Sequence, residues 1–164
     1  MTVSVHDFSV RRGPRPRATL SNPHTQLDQQ PSDPGVRDRL LAELARLPHV
    51  VWQPSGISVP GAQALCLADG TGEGPPEAFM IGREFAHLHP DPDQSLHVMV
   101  PETVAELLIA QGWGELHPVA RMGLLPATAI MVYAPRDEQE VAVVARIVAA
   151  SHAFALGQRR SLEG

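Results

Sequence analysis

The sequence contains no lysine, a single cysteine and few aromatic residues. All 13 basic residues are arginine, which excludes a lysine Schiff base and a lysine clamp for phosphate. The lone Cys66 excludes an internal disulfide and multi-cysteine metal sites, and its Ala-Leu-Cys-Leu-Ala setting favours a buried, inert thiol over a nucleophile. The apolar runs are far shorter than a membrane span, and no apolar segment follows the N-terminal arginines as it would in a secretory signal, so we expect a cytoplasmic protein.

The charge balance argues against nucleic acid and membrane surfaces as partners. The chain has 18 acidic residues against 13 basic ones, a formal net charge of −5, which gives no general attraction to phosphate-rich polymers. Its 164 residues suffice for one hydrophobic core, which makes one domain with tails the simplest organisation. A small molecule is the expected partner, and the sequence leaves the oligomeric state open.

Composition divides the chain into an arm, a folded domain and a tail. Residues 1–32 are rich in Pro, Arg, Ser, Asn and Gln without apolar periodicity, which predicts an extended or partly disordered arm. Residues 33–157 carry the helical and strand patterns, and residues 158–164 form a polar tail. The polar patch at 22–26 lies inside the arm, and whether it folds over a binding pocket stays open.

The order of the periodic segments predicts the fold class. Apolar residues at helical spacing predict helices over 34–47, 101–111 and 137–156. Short runs bounded by Pro and Gly predict strands at 50–53, 56–59, 62–68, 78–81, 84–89, 95–100, 114–117 and 128–133. Because the strands come in runs rather than alternating with helices, we expect an α+β domain, a mainly antiparallel sheet with helices packed on one face.

Three of the eight histidines fall within residues 87–97. Alternate side chains of a strand share a face, so His87 and His89 should point the same way. If residues 90–94 form a hairpin loop, His97 lies opposite His87 and the three imidazoles cluster. His117, on another predicted strand, is a further candidate whose position relative to this hairpin the sequence does not fix.

Three interpretations of this cluster are open. His87, His89 and His97 match the ligand set of a catalytic zinc site, and with Glu84 or another carboxylate they suit iron or manganese. Without a metal, neutral imidazoles can remove a proton from an enol or phenol and hydrogen-bond the resulting oxyanion. Alternatively, the histidines cover a half-exposed sheet face and pair with solvent and with carboxylates such as Asp91 and Asp93.

Four sequence blocks resemble a known family. These blocks are Glu84-Phe-Ala-His-Leu-His-Pro90, Ser95-Leu-His97, Gly112-Trp-Gly-Glu-Leu-His-Pro118 and Tyr133-Ala-Pro-Arg-Asp-Glu138. Together they resemble the luciferase-like domain family, named for the luciferases of bioluminescent fungi and rich in small bacterial members. The likeness covers roughly residues 77–152, and the arginine-only, alanine- and proline-rich composition is typical of a bacterial protein from a GC-rich genome.

The resemblance implies oxidation of a hydroxylated pyrone by molecular oxygen without added flavin or nicotinamide. It therefore suggests an oxygenase-type enzyme for a hydroxylated aromatic or pyrone-like substrate, with oxygen as co-substrate and no required cofactor. His87, His89 and His97 are the catalytic candidates, and Glu84 is a candidate to orient one of them. A non-catalytic binding domain and an enzyme with a single divalent metal are the alternatives.

The other blocks supply candidates for substrate binding, together with His117. Arg136 can bind a carboxylate or enolate, Tyr133 can donate a phenolic hydrogen bond, and Trp113 can stack on a planar ring. Each residue also has a structural interpretation. The alternatives are that Trp113 belongs to the core, that Arg136 pairs with Glu138 or Glu140, and that Tyr133 simply ends a strand.

Overall fold

A single antiparallel sheet organises the domain in a computed structural model that describes residues 8–72 and 74–158. Its six strands lie in the order β1-β2-β3-β4-β6-β5. Their bounds are β1 Val50–Pro54, β2 Gln63–Leu67, β3 Glu84–Leu88, β4 Leu96–Met99, β5 Gly114–Leu116 and β6 Ala129–Val132. Each pair of neighbours is antiparallel, so the predicted sheet type is confirmed.

Capping residues set the starts of the two longest helices. The Asp33 side chain accepts a hydrogen bond from the Gly35 N–H and begins α1, Pro34–Leu44. Asp137 accepts from the Glu140 N–H and begins α4, Glu138–Ala155. The shorter helices are α2, Glu102–Ala110, and α3, Pro118–Arg121. The three predicted helices are therefore confirmed.

The hydrophobic core lies between one face of the sheet and the helices α1 and α4. Leu65, Leu88, Leu96 and Ile130 are fully buried there with Ile147 of α4. Burying a large aliphatic side chain contributes about 1.5–3 kcal/mol, so this layer is the main source of stability. The predicted α+β fold is confirmed, and the opposite sheet face is left for polar residues.

Two predicted strands and one predicted loop are wrong. Residues 56–59 form a turn because the Ser55 hydroxyl accepts hydrogen bonds from the Ile57 and Ser58 N–H groups. The predicted strand at 78–81 is absent because Ala78 ends a 3₁₀ turn, Pro76–Ala78, which begins with proline. Helix α3 occupies the start of a predicted loop because Pro118 and the capping His117 begin a helix there.

The described part of the arm lies against the domain. Phe8, His24 and Gln26 are buried, and an isolated bridge joins Ala18 to Gln26. Residues 1–7 of the predicted arm and residues 159–164 of the predicted tail lie outside the described residues. In the described part of the chain, no helix has the length and apolarity that crossing a membrane requires.

Candidate functional site

A cavity of about 600 Å³ lies on the sheet face that α1 and α4 leave uncovered. Five imidazoles line it, from His24, His87, His89, His97 and His117. The rest of the wall is largely apolar and comes from several loops and from α3, including Pro23, Ile57, Val59, Met80, Val119 and Leu125. The cavity therefore combines a polar floor on the sheet with an apolar rim.

The predicted histidine hairpin is confirmed. In the β3–β4 pair, His87 lies opposite His97, and the ring centroids are 5.1 Å apart. His89 follows β3 directly, and its N–H donates to the Ser95 carbonyl while its ring centroid lies 4.6 Å from that of His97. All three histidines are at least 95% buried, so they do not cover a half-exposed face as one interpretation expected.

A β-bulge brings Glu84 onto the histidine face. Strict alternation would place Glu84 opposite to His87, because the two residues are three positions apart. The register between β2 and β3 shifts at Leu65 and Cys66, and the Glu84 carboxylate meets the His87 Nδ1 at 2.8 Å. The same carboxylate accepts hydrogen bonds from the Ser55 hydroxyl and the Gly56 N–H. Glu84 thus holds the orientation of His87.

His117 and His24 complete the cluster from other elements. His117 caps α3, and its Nδ1 accepts a hydrogen bond from the Val119 N–H at 3.1 Å. Its ring centroid lies 4.7 Å from that of His97 and 5.4 Å from that of His24. His24 comes from the arm, so the polar patch at 22–26 does lie over the pocket.

Three imidazoles form a continuous chain between two carboxylates. The contacts are Glu84 Oε2 to His87 Nδ1 at 2.8 Å, His87 Nε2 to His97 Nδ1 at 3.1 Å, His97 Nε2 to His24 Nδ1 at 2.9 Å and His24 Nε2 to Glu115 Oε2 at 3.0 Å. The Tyr133 hydroxyl donates to the other oxygen of Glu115 at 3.0 Å. Each contact is short enough for a hydrogen bond.

The number of contacts in this imidazole chain sets how many protons are needed for every contact to be a hydrogen bond. Four contacts need four protons, whereas three neutral imidazoles carry one N–H each and ionised carboxylates carry none. With all three imidazoles neutral, three of the four contacts can be hydrogen bonds, and the fourth needs one additional proton.

Burial and neighbouring groups shift the pKa values of the histidines and carboxylates in this cluster. Burial lowers the pKa of His97 well below its usual value, and the adjacent histidines lower it further. Burial also lowers the pKa of His87 and takes that of His117 to about 4. Burial alone would raise the pKa values of Glu84 and Glu115, but hydrogen bonds, from His87 and His24 first, outweigh it and lower both.

His89 stands outside this chain and has its own carboxylate. Its Nδ1 lies 2.9 Å from the Ser95 Oγ and 3.1 Å from the Asp93 Oδ2. The Ser95 hydroxyl donates to Asp93 Oδ1 at 2.5 Å, so its oxygen is an acceptor toward His89. This arrangement places the His89 proton on Nδ1 and leaves Nε2 as a lone pair, which no hydrogen bond from the described residues engages.

Three predicted substrate-binding residues do not line the cavity. Arg136 pairs with Glu140 of α4, as its structural interpretation expected. Trp113 is buried in the core on the helix side, where its Nε1–H donates to the Ser9 carbonyl. Tyr133 reaches the site indirectly, through Glu115, and burial raises its pKa to about 12.

The sequence analysis did not propose His24, Asp93 or Glu115 as functional residues. Glu115 precedes His117 by two positions, so strand alternation could have placed both on one face. Asp93 had been considered only as a surface partner, and burial of the hairpin loop makes it an internal one. His24 carries no local signal for its docking, because that docking depends on contacts between residues that are 67 to 108 positions apart in the sequence.

Two trios of histidines have the spacing of a metal site. The potential ligand atoms of His87, His89 and His97 lie within 4.8 Å of one another, and so do those of His24, His97 and His117. Both ring nitrogens of His97 already lie at hydrogen-bond distance from other imidazoles. An ion bound by either trio would therefore replace at least one of these hydrogen bonds.

Comparison with known proteins converges on one family. Residues 82–151 match the family model described as Luciferase domain. The luciferase of Armillaria ostoyae is 29% identical over 161 residues, which cover 88% of this chain and 60% of the relative, and that of Armillaria gallica gives the same figures. The luciferase of Neonothopanus nambi is 39% identical over 71 residues, 42% of this chain and 27% of its own length. The chain spans about 60% of the first two relatives, and no solved structure matches significantly.

Proposed function

We propose that this chain, whose residues 82–151 match the Luciferase domain model, is an oxygenase-type enzyme whose histidine-lined cavity binds a hydroxylated aromatic or pyrone-like small molecule. Molecular oxygen is the co-substrate, and the chemistry needs no flavin or nicotinamide. One observation carries the proposal. His89 lines a 600 Å³ cavity with its Nδ1 held by Ser95 and Asp93, so that its Nε2 is the general base.

His117 supplies the complementary donor. Because its Nδ1 accepts from the Val119 N–H, the neutral ring carries its proton on Nε2. Burial lowers the pKa of His117 to about 4, so this neutral donor persists at pH 7. A cavity wall that offers one imidazole acceptor and one imidazole N–H donor suits a substrate with a hydroxyl next to a carbonyl oxygen.

The lining also favours a substrate without a permanent negative charge. Among the described residues that line the cavity there is no arginine and no carboxylate. Arg136, which was expected to bind a carboxylate or enolate, is committed to Glu140. The negative charge of an enolate formed in place would be met by the Nε2–H of His117.

The reaction begins with proton transfer and ends with oxygen reduction. His89 takes the hydroxyl proton at Nε2, and the developing imidazolium is stabilised by Asp93 through Nδ1. The electron-rich enolate then transfers one electron to dioxygen, the substrate radical and superoxide combine through a new carbon–oxygen bond, and the resulting peroxide anion takes back the proton held by His89. The protein holds the anion and excludes water with its apolar rim, and general-base catalysis of this kind contributes about 10²- to 10⁴-fold.

Oxygen uptake with a panel of hydroxypyrones and phenols tests the proposal. We expect the parent protein to consume oxygen with at least one compound, and His89→Gln to reduce kcat/KM by about 10²- to 10⁴-fold. The matched control is His152→Gln, since His152 is a buried histidine on α4 that donates to the Pro48 carbonyl outside the cavity. Binding without oxygen uptake indicates a binding domain, and equal rates for parent and His89→Gln refute the catalytic assignment.

A divalent metal bound by His87, His89 and His97 is the second candidate, favoured by the 4.8 Å spacing of their ligand atoms. Three imidazole donors suit zinc or iron, and the metal would act as a Lewis acid toward the substrate oxygen. Elemental analysis of the purified protein, followed by chelator dialysis and re-addition of zinc, iron or manganese, separates the two candidates. A stoichiometric metal whose loss abolishes oxygen uptake supports the metal enzyme, and full activity of the metal-free protein rejects it.

A further inference from the structure

Asp93 connects the general base to the arm. It lies in the loop between β3 and β4 and is 7% exposed. Its Oδ1 accepts from the Gln26 N–H at 3.1 Å, the Ser95 N–H at 3.1 Å and the Ser95 hydroxyl at 2.5 Å. Its Oδ2 lies 3.1 Å from the His89 Nδ1, an ion-pair distance, and makes no hydrogen bond with the described residues.

We infer that Asp93 is a positioning residue that fixes the tautomer of His89 with the base at Nε2, and that it seats the arm on the same cavity. The first part deepens the function proposed above and rests on it for its catalytic consequence. The tautomer itself follows from the contacts alone, because the Ser95 hydroxyl donates to Asp93 and its oxygen therefore accepts from the His89 Nδ1, which also faces the acceptor Oδ2 of Asp93.

The two carboxylate oxygens of Asp93 have different neighbours, so the orientation of an amide at this position can be predicted. Two backbone N–H groups, those of Gln26 and Ser95, point at Oδ1, and backbone donors cannot reverse their polarity. An asparagine at this position would therefore keep its carbonyl oxygen at the Oδ1 site and place its NH₂ group against His89. The amide would then donate to Nδ1 and drive the proton of the ring to Nε2, which removes the base from the cavity.

The same residue also holds the arm, because Gln26 is one of the arm's attachment points. Its N–H is held by Asp93, and its side-chain oxygen accepts from the Ala134 N–H at 2.8 Å. His24 lies two residues away and enters the imidazole chain through His97. A single carboxylate thus sets both the proton position on His89 and the anchor of the segment that delivers His24.

Nitrogen-15 NMR of the ligand-free protein tests the assignment without any substrate. Labelled histidine reports which ring nitrogen carries the proton, and His89→Gln identifies the His89 signals by removing them. In the parent at pH 8, we expect His89 to show a protonated Nδ1 and a lone-pair Nε2. In Asp93→Asn the pattern reverses, whereas Asp91→Asn, in the same loop but exposed, keeps the parent pattern. Ser95→Ala also keeps it, because Asp93 remains.

Each outcome decides the proposal. A parent His89 that carries its proton on Nε2, or on both nitrogens, overturns it even if Asp93→Asn does not fold. A folded Asp93→Asn protein with an unchanged His89 tautomer overturns it as well. Where an oxidised substrate is found, Asp93→Asn should lower kcat by about 10²- to 10⁴-fold with a smaller change in KM. Absence of any turnover would refute the proposed function and leave the tautomer assignment standing on the NMR result.

Discussion

Replacing Glu84 by glutamine tests whether the buried carboxylate, rather than packing alone, holds the bulge and the first imidazole in place. Glu84 is 2% exposed and receives three hydrogen bonds, from the Gly56 N–H, the Ser55 hydroxyl and the His87 Nδ1–H. Glutamine has nearly the same shape, so cavity formation contributes little. The glutamine side chain has one acceptor oxygen instead of two, and its NH₂ group faces hydrogen-bond donors of the neighbouring residues.

The expected cost follows from that mismatch. If the amide oxygen stays with Gly56, the NH₂ group opposes the His87 N–H, which cannot switch tautomer because its Nε2 already accepts from His97. An unpaired buried donor costs about 1–3 kcal/mol, and hydrogen bonds to a charged group are about 1 kcal/mol stronger than neutral ones. We therefore expect Glu84→Gln to lower the free energy of unfolding by about 2–4 kcal/mol at pH 7.

Urea denaturation followed by circular dichroism measures this change, with the exposed Glu102→Gln as the matched control. Burial alone would raise the pKa of Glu84, but its hydrogen bonds lower it, so its stabilising effect is present at neutral pH and is lost as the pH falls through the folded-state pKa. The difference between parent and variant should shrink below about pH 4.5. A Glu84→Gln protein as stable as Glu102→Gln at pH 7 would refute the reasoning.

Three further predictions concern the cluster and its surroundings. The free energy of unfolding should decrease from pH 7 to pH 4. Burial lowers the pKa of His117 to about 4, so the unfolded chain binds a proton at this residue at a higher pH than the folded chain does. His117→Gln should flatten this pH dependence in urea titrations. His24→Ala should lower stability by about 1–3 kcal/mol and increase hydrogen exchange in the arm, since Glu115 and His97 each lose a partner; unchanged exchange contradicts this. Trp113→Phe should reduce stability by about 0.5–1.5 kcal/mol through the lost hydrogen bond to Ser9, with ligand affinity unchanged by calorimetry; a loss of affinity alone would instead support stacking.

The sequence predicted those parts of the fold that depend on local pattern. Helix α4 follows from its apolar spacing and from Asp137 as a cap, and the pairing of His87 with His97 follows from alternation and a five-residue loop. The turn at 56–59 was wrongly predicted as a strand because its apolar residues follow a strand-like pattern. Its shape is set by Ser55 and by a carboxylate 28 positions away in the chain.

The sequence predicted only the part of the site that lies on the β3–β4 hairpin. His87, His89 and His97 required only strand geometry, and the Glu84 contact depended on a bulge that alternation does not reveal. The position of His117 required knowing that β5 pairs with β6, and β6 with β4, which are long-range choices. Arg136 was predicted to bind substrate because it lies in a block that resembles the family, but helix α4 places Glu140 close enough to pair with it.

Because His24 lines the cavity, the complete site extends beyond residues 82–151, the segment that matches the family model. Residues 82–151 contain four of the five cavity imidazoles, whereas the fifth belongs to the arm together with Pro23 and Thr25 of the rim. Four of the cavity imidazoles are thus carried by strands or by the residue directly after a strand, and much of the surface that shapes the ligand is carried by loops and the arm. Ligand preference can therefore diverge between relatives through substitutions in the arm, at little cost to the sheet and without altering the acid–base residues.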